Sequence, residues 1–492
     1  MKVSIRNLGV IKEEATIDLK PLTVLIGPNN AGKTWLAYSL AGIFSSFGSS
    51  AYIQAYAAKK VPNNYKVLDD AIERVLTKGN ASIDLRKFAD ENGEKYFNDV
   101  AQYARNWMSR FLSTQLAHFD DMDISLSLGE NKAYFLDRVS QYSRTNRVAG
   151  SVLTIRKNRG EDKVFAFTSE EQGAEGQEEQ LEERIPPEEV RERLVSFVAT
   201  ALRRSLYSQV YVFPTERTTL VSARFAERIS DRIQNNLNQR VMEALEVLVK
   251  ELDISALAEQ NITAREAIAP VGIFMGMLNN IFKRRSKDKG ERERVAEKDL
   301  AVKRYIELAE ILEKQILAGD VYLSTPEPDP RREVLFQPTQ DVNLEIPIVS
   351  SMVKELSPLV LYLRHLARQG ELLIIDEPEM NLHPAAQVQI IEFLAMLVNA
   401  GLHVLITTHS TYVVDHLVNL MDAHKHKNQD EIVEMFLLEQ KEAFIAQEKV
   451  SVYLVEDGKV QDVLSPEGAI DWRTFSDVTE LVGRIHFELL GE

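Results

Sequence analysis

The feature that most constrains this chain is an eight-residue segment near its start, GPNNAGKT at residues 27–34. It matches the pattern G-x-x-x-x-G-K-[ST] at every fixed position. A buried strand is predicted before it at Leu22–Ile26, and an amphipathic helix is predicted from about Lys33. A strand, a glycine-rich turn and a helix in this order direct backbone N–H groups and a helix N-terminus toward one point. The segment therefore predicts a phosphate-binding loop, or P-loop.

The residue types in this loop each have a chemical use. Glycines let the backbone curl around a β-phosphate, the Lys33 ammonium can reach the β- and γ-phosphates, and the Thr34 hydroxyl can ligate Mg²⁺. The sequence thus predicts binding of ATP together with Mg²⁺. The residues of the loop predicted to bind the nucleotide are Gly27, Asn29, Asn30, Ala31, Gly32, Lys33 and Thr34.

A second candidate follows the apolar run Leu372–Ile375, which is typical of a strand buried on both faces of a parallel sheet. Two acids come directly after this run. Asp376 is placed to hold Mg²⁺ through water, and Glu377 to polarise the water that attacks the γ-phosphate. A strand that ends in two acids is unremarkable by itself, so this interpretation depends on the P-loop in the same chain.

His409 is the third candidate, because it follows another predicted buried strand, His403–Thr407. A histidine at this place can hydrogen-bond the γ-phosphate and respond to its presence. A lone histidine at a strand end is more often an ordinary polar residue. The two other motifs are what favour a catalytic role for it.

The order of these motifs resembles that of ATP-binding-cassette (ABC) ATPases, in the group of soluble heads that includes RecF, SMC and the overcoming-lysogenization-defect (OLD) proteins. The stretches that carry the resemblance are PLTVLIGPNNAGKT, VFPTERTTL at 212–220, SSMVKELSPL at 350–359, DEPEMNLHP and ITTHS. They cover residues 1–45, 209–220 and about 320–492. The implied fold class is α/β, a P-loop NTPase of the ABC-ATPase head type with inserted, largely helical lobes.

By this resemblance, Ser350 and Ser351 stand in the signature loop, which contacts the γ-phosphate held by an opposite subunit. The implied active site is shared by two chains, so a homodimer or higher homo-oligomer formed through the heads is expected. Met352 stands where the family has small residues or glycine, which implies slow hydrolysis. His383 replaces the aspartate found in many relatives, a variant that is familiar in OLD-like proteins.

Patterning along the chain separates head segments from insertions. Residues 2–8 and 14–19 alternate in polarity and predict a hairpin, and the glutamate-rich residues 170–192 predict a mobile loop. Further strands are predicted at Ile124–Leu128, Val152–Lys157, Val164–Thr168 and Gln209–Phe213. The predicted parts are 1–50, the N-terminal head; 51–199, a mixed α/β lobe; 200–222, a return to the head; 223–319, a projecting helical insertion; and 320–492, the C-terminal head.

Composition limits the partners and the compartment. The absence of cysteine excludes disulfides, cysteine-ligated zinc and thiol catalysis. No signal peptide and no apolar run long enough to span a bilayer is found, so a cytoplasmic protein without a membrane partner is expected. The net charge of −16 disfavours broad capture of nucleic acid. A basic segment from Lys283, with Lys298, Lys303 and Arg304, is interpreted as a solvated helix face.

Two other clusters and one imitation of a nuclease motif are set aside. A solvated acidic loop is the favoured interpretation of His118, Asp120, Asp121 and Asp123, and His424 and His426 lie among lysines that would repel a metal ion. The segment Leu454–Gly458 resembles the first strand of the Toprim nuclease domain that OLD nucleases carry. No D-x-D pair follows it, so it is interpreted as a closing strand and turn.

Three functions remain open. The first is a nucleotide-driven switch that controls a separately encoded effector protein, as the resemblance to stand-alone OLD-like ATPases of bacterial anti-phage systems implies. The second is a DNA-repair or DNA-sensing ATPase of the RecF and SMC kind that acts directly on DNA. The third is the cassette subunit of a transporter, which the unusual signature and the large insertions disfavour.

Overall fold

The structure is a computed structural model. It describes residues 1–61, 65–147, 153–168, 186–222, 269–283, 289–324 and 333–471, with the pairs 484–485 and 488–489. Its strands are β1 Lys2–Arg6, β2 Ala15–Asp18, β3 Leu22–Ile26, β4 Asn80–Asp84, β5 Asp123–Ser127, β6 Arg144–Arg147, β7 Leu153–Lys157, β8 Lys163–Thr168, β9 Val210–Phe213, β10 Asp320–Ser324, β11 Glu333–Thr339, β12 Val342–Glu345, β13 Leu372–Asp376, β14 His403–Thr408, β15 Val450–Glu456 and β16 Lys459–Asp462.

Helices separate most of these strands. They are α1 Lys33–Phe44, α2 Ser46–Ala57, α3 Lys66–Lys78, α4 Leu85–Tyr103, α5 Met108–Phe111, α6 Lys132–Gln141, α7 Pro187–Leu206, α8 Ala269–Lys283, α9 Lys289–Ala296, α10 Leu300–Ile311, α11 Ser351–His365, α12 Pro384–Asn399, α13 Thr411–Lys425 and α14 Gln429–Ile432. A π-helical turn, Leu312–Leu317, continues α10. Among the described residues, no helix combines the length and the apolar character needed to cross a bilayer.

The chain divides into two compact units. Unit 1 comprises residues 1–18, 39–109 and 114–210, and unit 2 comprises residues 19–38, 110–113 and 211–492. These limits differ from the divisions predicted at 50/51 and 199/200. The helix α7 runs unbroken across the second of those divisions, and the first hairpin belongs to unit 1.

Unit 2 is built on a six-stranded sheet with the order β16-β15-β3-β14-β13-β9. The strands β15, β3, β14 and β13 are parallel, and β16 is antiparallel to β15. Every residue of β3 and β13 is buried, as expected for parallel strands covered on both faces. The predicted closing strand and turn at Leu454–Gly458 is confirmed, because β15 ends at Glu456 and turns into β16.

Helices of the predicted insertion form part of the core of unit 2. Phe274 and Ile281 of α8 and Tyr305 and Leu308 of α10 are fully buried in the same apolar cluster as β3. The expectation that this segment projects from the head is therefore wrong for residues 269–283 and 300–317. Both helices pack against α11. Residues 223–268 lie outside the described part of the chain.

Unit 1 contains two antiparallel sheets, with the orders β2-β1-β5 and β4-β8-β7-β6. The predicted hairpin is present as β1 and β2, and β5 adds a third strand to it from more than a hundred residues along the chain. The predicted loop 170–192 is wrong at its end, because α7 begins at Pro187. Proline at the first helical position and the acids Glu188 and Glu189 in the first turn favour a helix start there. Residues 169–185 lie outside the described part.

Glu371, directly before β13, is 3% exposed. Burial raises the pKa of its carboxyl to about 7. Tyr362 Oη and the Arg368 N–H donate hydrogen bonds to Oε2 and oppose that shift. Because the folded pKa lies above the ordinary value of 4.5, this group stabilises the fold below about pH 4.5, and the contribution is lost as the pH rises through about 7.

The variant Glu371→Gln keeps the size and an acceptor oxygen of this side chain but has no charge to bury. Its free energy of unfolding, relative to the parent protein, is expected to increase between about pH 5 and about pH 8. Urea unfolding at both pH values measures this, with the exposed Glu434→Gln as the control. A difference between Glu371→Gln and the parent that is the same at both pH values would contradict the assignment.

Candidate functional site

The predicted P-loop connects β3 to α1 and departs from ordinary backbone geometry at three residues. Gly27, Asn30 and Gly32 have φ values of 141°, 63° and 105°. A Cβ atom at Gly27 would lie 2.2 Å from the main-chain oxygen of Val455 on the neighbouring strand, so only glycine fits there. Asn29 and Asn30 are exposed, and Ala31 is half-buried. The loop thus presents its tip to solvent while its first residue packs against β15.

Lys33 lies inside this loop and is buried. Its ammonium donates hydrogen bonds to the main-chain oxygens of Gly27 and Pro28, both at 2.8 Å. Burial lowers the pKa of Lys33, and the neighbouring carboxylates of Glu377 and Asp376 oppose that shift. The ammonium is therefore close to the acids at the end of β13, although some 340 residues separate them in sequence.

The carboxylate of Asp376 accepts hydrogen bonds from three hydroxyl groups, and the residue is 0% exposed. Thr34 Oγ1 lies 3.1 Å from both carboxylate oxygens, and Tyr38 Oη donates to Oδ2 at 3.2 Å. Thr407 Oγ1 on β14 donates to Oδ1. Burial raises the pKa of Asp376, and the hydrogen bonds from Thr407 and Thr34 counteract that shift. The two residues predicted to hold Mg²⁺ are in direct contact.

Glu377, the next residue, has a left-handed backbone with φ of 48°. Its N–H donates to both the main-chain oxygen of Thr407, at 3.1 Å, and Thr407 Oγ1, at 3.0 Å. Such a conformation is costly for a residue with a side chain and persists only where neighbours impose it. It directs the carboxylate of Glu377 toward His409, whose Nδ1 lies 3.4 Å from Oε1.

His409 follows β14, and its side chain is 43% exposed. The main-chain N–H of His409 donates to Glu379 Oε1 at 3.0 Å, and Thr408 Oγ1 donates to the same oxygen. The Nδ1 atom of His409 lies 3.7 Å from that oxygen as well. The ring therefore stands between Glu377 and the buried Glu379, and all three line a cavity of about 480 Å³ that also includes Asn381.

Ser350 and Ser351 are both exposed, at the start of α11. The Oγ atom of Ser350 accepts a hydrogen bond from the N–H of Val353 at 3.3 Å and so caps the helix. Met352 is partly buried and packs against the core of unit 2. Its side chain is thus directed inward, and the exposed surface at this helix start is formed by the two serines.

Four residues of the site were not singled out from the sequence. Glu379 lies in the DEPEMNLHP stretch, and Tyr38 and Thr407 lie on elements whose type was predicted without a role for these side chains. Arg217, in the VFPTERTTL stretch, donates to the main-chain oxygens of Asp376 and Glu377. The resemblance pointed to two of these stretches, but spacing alone does not say which of their polar residues face the site.

The residues that were set aside show ordinary surroundings. Lys303 and Arg304 both form ion pairs with Glu307 on the same helix, as expected for a solvated face. His424 and His426 are exposed at the end of α13. Among the described residues, no group of three or more histidines and acids is arranged to hold a metal ion by itself.

Comparison with known proteins assigns the chain to a family. The family model described as the AAA ATPase domain matches residues 1–414, so the chain belongs to that family. The predicted P-loop ATPase and its α/β fold class are thereby confirmed. No curated protein matches the chain.

Solved structures similar to this chain include SMC heads. The Smc head domain of Pyrococcus furiosus, with an extended coiled coil and bound to the C-terminal domain of ScpA, is 11% identical with a TM-score of 0.36, over 99% of this chain and 98% of that one. The SMC head domain from Thermotoga maritima is 12% identical with a TM-score of 0.27, over 84% of this chain and 90% of that one.

Proposed function

We propose that this ATPase binds ATP with Mg²⁺ in the P-loop and hydrolyses it at the end of β13. The observation that carries the proposal is the contact between Thr34 Oγ1 and both oxygens of Asp376, each at 3.1 Å. It joins the loop that would hold the phosphates to the strand end that would hold the metal. Lys33 lies beside both and supplies the positive charge that the phosphates need.

The donors at this point fit Mg²⁺, which prefers hydroxyl and carboxylate oxygens together with phosphate oxygens and water. Thr34 and Asp376 would hold the ion. When bound, it would neutralise charge on the β- and γ-phosphates. With only these two protein ligands, the ion is expected to bind together with the nucleotide.

Glu377 is the proposed general base. Its carboxylate is placed next to the proposed metal-binding aspartate but is not tied up by the hydroxyls that hold Asp376. A carboxylate in this position accepts a proton from the attacking water. His409, beside Glu377, is the proposed γ-phosphate contact, because its half-exposed ring faces the same cavity.

The variant Glu377→Gln is expected to bind ATP normally and to hydrolyse it more slowly by a factor on the order of 10² or more, because the proton acceptor is lost. Equilibrium binding of labelled ATP and phosphate release measure the two effects. Lys33→Ala is expected to abolish tight binding in a folded protein. Glu456→Gln changes an acid at the end of β15, in the same sheet; it is the matched control and should change neither ATP binding nor hydrolysis. Normal turnover by Glu377→Gln would remove the proposed role.

We further propose that two chains close on ATP, with the start of α11 contacting the nucleotide of the partner subunit. Backbone N–H groups at a helix N-terminus favour an anion, and Ser350 and Ser351 leave this end exposed and free of acidic side chains. The resemblance to ABC-type heads supports the same arrangement.

Ser351→Glu is a sharp test of closure, because a glutamate suits the isolated helix and repels a phosphate. It is expected to stabilise the single chain by about 0.3–1 kcal/mol and to abolish the ATP-dependent dimer. Sedimentation of the Glu377→Gln protein with ATP and with ADP, with and without Ser351→Glu, measures this. Ser351→Ala, which adds no charge, should still dimerise. An ATP-dependent dimer that Ser351→Glu leaves intact would place the interface elsewhere.

The wider role proposed is a nucleotide-dependent switch that controls a separately encoded effector, in anti-phage defence. The resemblance to stand-alone OLD-like ATPases supports it. Unit 1 adds to that support. The proposed nucleotide-binding residues all lie in unit 2, so unit 1 is available to bind an effector. ATP can control an effector only if the effector has different affinities for the open and the closed protein.

Co-expression with the proteins encoded beside it tests this role. An effector is expected to be retained in one nucleotide state and released in the other, when ATP-bound Glu377→Gln is compared with the ADP-bound parent protein. With ATP, the Ser351→Glu protein should retain or release the effector as the ADP-bound parent protein does. If no neighbour binds in either state and the protein alone binds DNA only with ATP, the direct action on DNA replaces this role.

A further inference from the structure

Arg217 lies in the turn after β9 and is 1% exposed. Its guanidinium donates to the two main-chain oxygens at the end of β13: Nη1 to Asp376 O at 2.7 Å and Nη2 to Glu377 O at 2.8 Å. Nη1 also donates to Pro214 O at 2.8 Å, which holds the turn itself. One planar cation thus fixes the backbone of the proposed metal-binding acid and of the proposed general base.

The counter-charge of Arg217 is Glu355 on α11, whose side chain is fully inaccessible to solvent. Besides the ion pair, Glu355 accepts a hydrogen bond from Thr218 Oγ1. A single carboxylate therefore joins α11 to Arg217, which holds the carbonyl of Glu377, and to the residue after Arg217.

The same helix begins at the exposed serines. Ser350 caps α11, and Glu355 follows it by five residues, roughly 8 Å along the helix axis. A closed helical turn links the two positions, because the Lys354 N–H donates to the main-chain oxygen of Ser350 at 3.1 Å. A displacement of the N-terminus of α11 would therefore move the Glu355 carboxylate, and with it the guanidinium that holds the carbonyl of Glu377.

Stabilisation of the fold alone does not explain why Arg217 and Glu355 form a buried ion pair. Removing two charges from water offsets most of their attraction, so apolar residues of similar size often stabilise a core as well or better. A specific geometric demand is present at the other end, because Glu377 keeps a left-handed backbone with φ of 48°. Such a conformation needs neighbours that hold it in place.

We infer that Arg217 and Glu355 are positioning residues that couple the seating of the α11 N-terminus to the orientation of the Glu377 carboxylate. Hydrolysis then proceeds at full rate only when the partner's nucleotide engages the start of α11. This inference rests on the proposed function, in which Glu377 is the general base and α11 contacts the partner's nucleotide. It adds the route by which closure in one chain reaches the base in the same chain.

The test uses a second ion pair of the same helix, in which the glutamate is again buried. Arg364 of α11 pairs with Glu313, whose side chain is also fully inaccessible but which bonds to the Val321 N–H, away from β13. Glu355→Gln and Glu313→Gln are each expected to lower the thermal midpoint. Only Glu355→Gln should lower kcat, by about 10- to 100-fold through misplacement of the base, with the ATP dissociation constant unchanged within about twofold.

Dimer formation separates positioning from binding. Glu355→Gln should still form the ATP-dependent dimer in sedimentation, since Ser350 and Ser351 are untouched. If Glu355→Gln fails to fold, Arg217→Lys is measured instead, because it keeps the buried positive charge and loses the paired contact with the two carbonyls. A lower kcat is again expected, with the ATP dissociation constant and dimer formation unchanged. Equal kcat values for the variants of the two pairs would overturn the inference, and so would loss of ATP binding in step with kcat. A parent protein whose hydrolysis does not depend on Glu377 would instead overturn the proposed function.

Discussion

The proposed site depends on the burial of one carboxylate. Asp376 ends β13 and is 0% exposed, so its charged form is stable only if it receives hydrogen bonds or a cation. The parallel register supplies one donor, since Asp376 lies directly opposite Thr407 on β14. The helix α1 supplies Thr34 and Tyr38 one turn apart. Strand pairing and the P-loop helix must therefore both be correct before this acid can be accommodated.

Buried carboxylates recur in unit 2 as links between elements. Glu313 binds Arg364 of α11, and Glu392 of α12 accepts hydrogen bonds from His416 of α13 and from the N–H of Leu438. Glu355 does the same between α11 and the turn after β9. A buried charge that loses its partner is strongly destabilising, whereas apolar contacts tolerate small shifts. These acids therefore specify how the helices are seated on the sheet, which matters where a helix start and a strand end must act together.

The backbone of the site is as constrained as its side chains. Gly27 packs so closely on β15 that no side chain fits, and Glu377 and Asn381 adopt left-handed conformations on the other side of the site. Local strain of this kind is stable only within a well-packed surround. The fully buried strands β3 and β13 provide that surround, and Thr23 is the one polar residue in the two runs Leu22–Ile26 and Leu372–Ile375.

Much of this could be predicted from local sequence, because its physical cause is local. The apolar run Leu372–Ile375 makes a covered parallel strand, and the G-x-x-x-x-G-K-T segment makes a tight loop between a strand and a helix. What only the tertiary structure decided are pairings between distant residues: β5 beside β1, α8 and α10 in the core of unit 2, and Glu355 with Arg217. Periodicity shows that a helix has an apolar face but not which surface covers it. A single sequence does not show which charged residues are buried, because the partner that makes burial possible is distant along the chain.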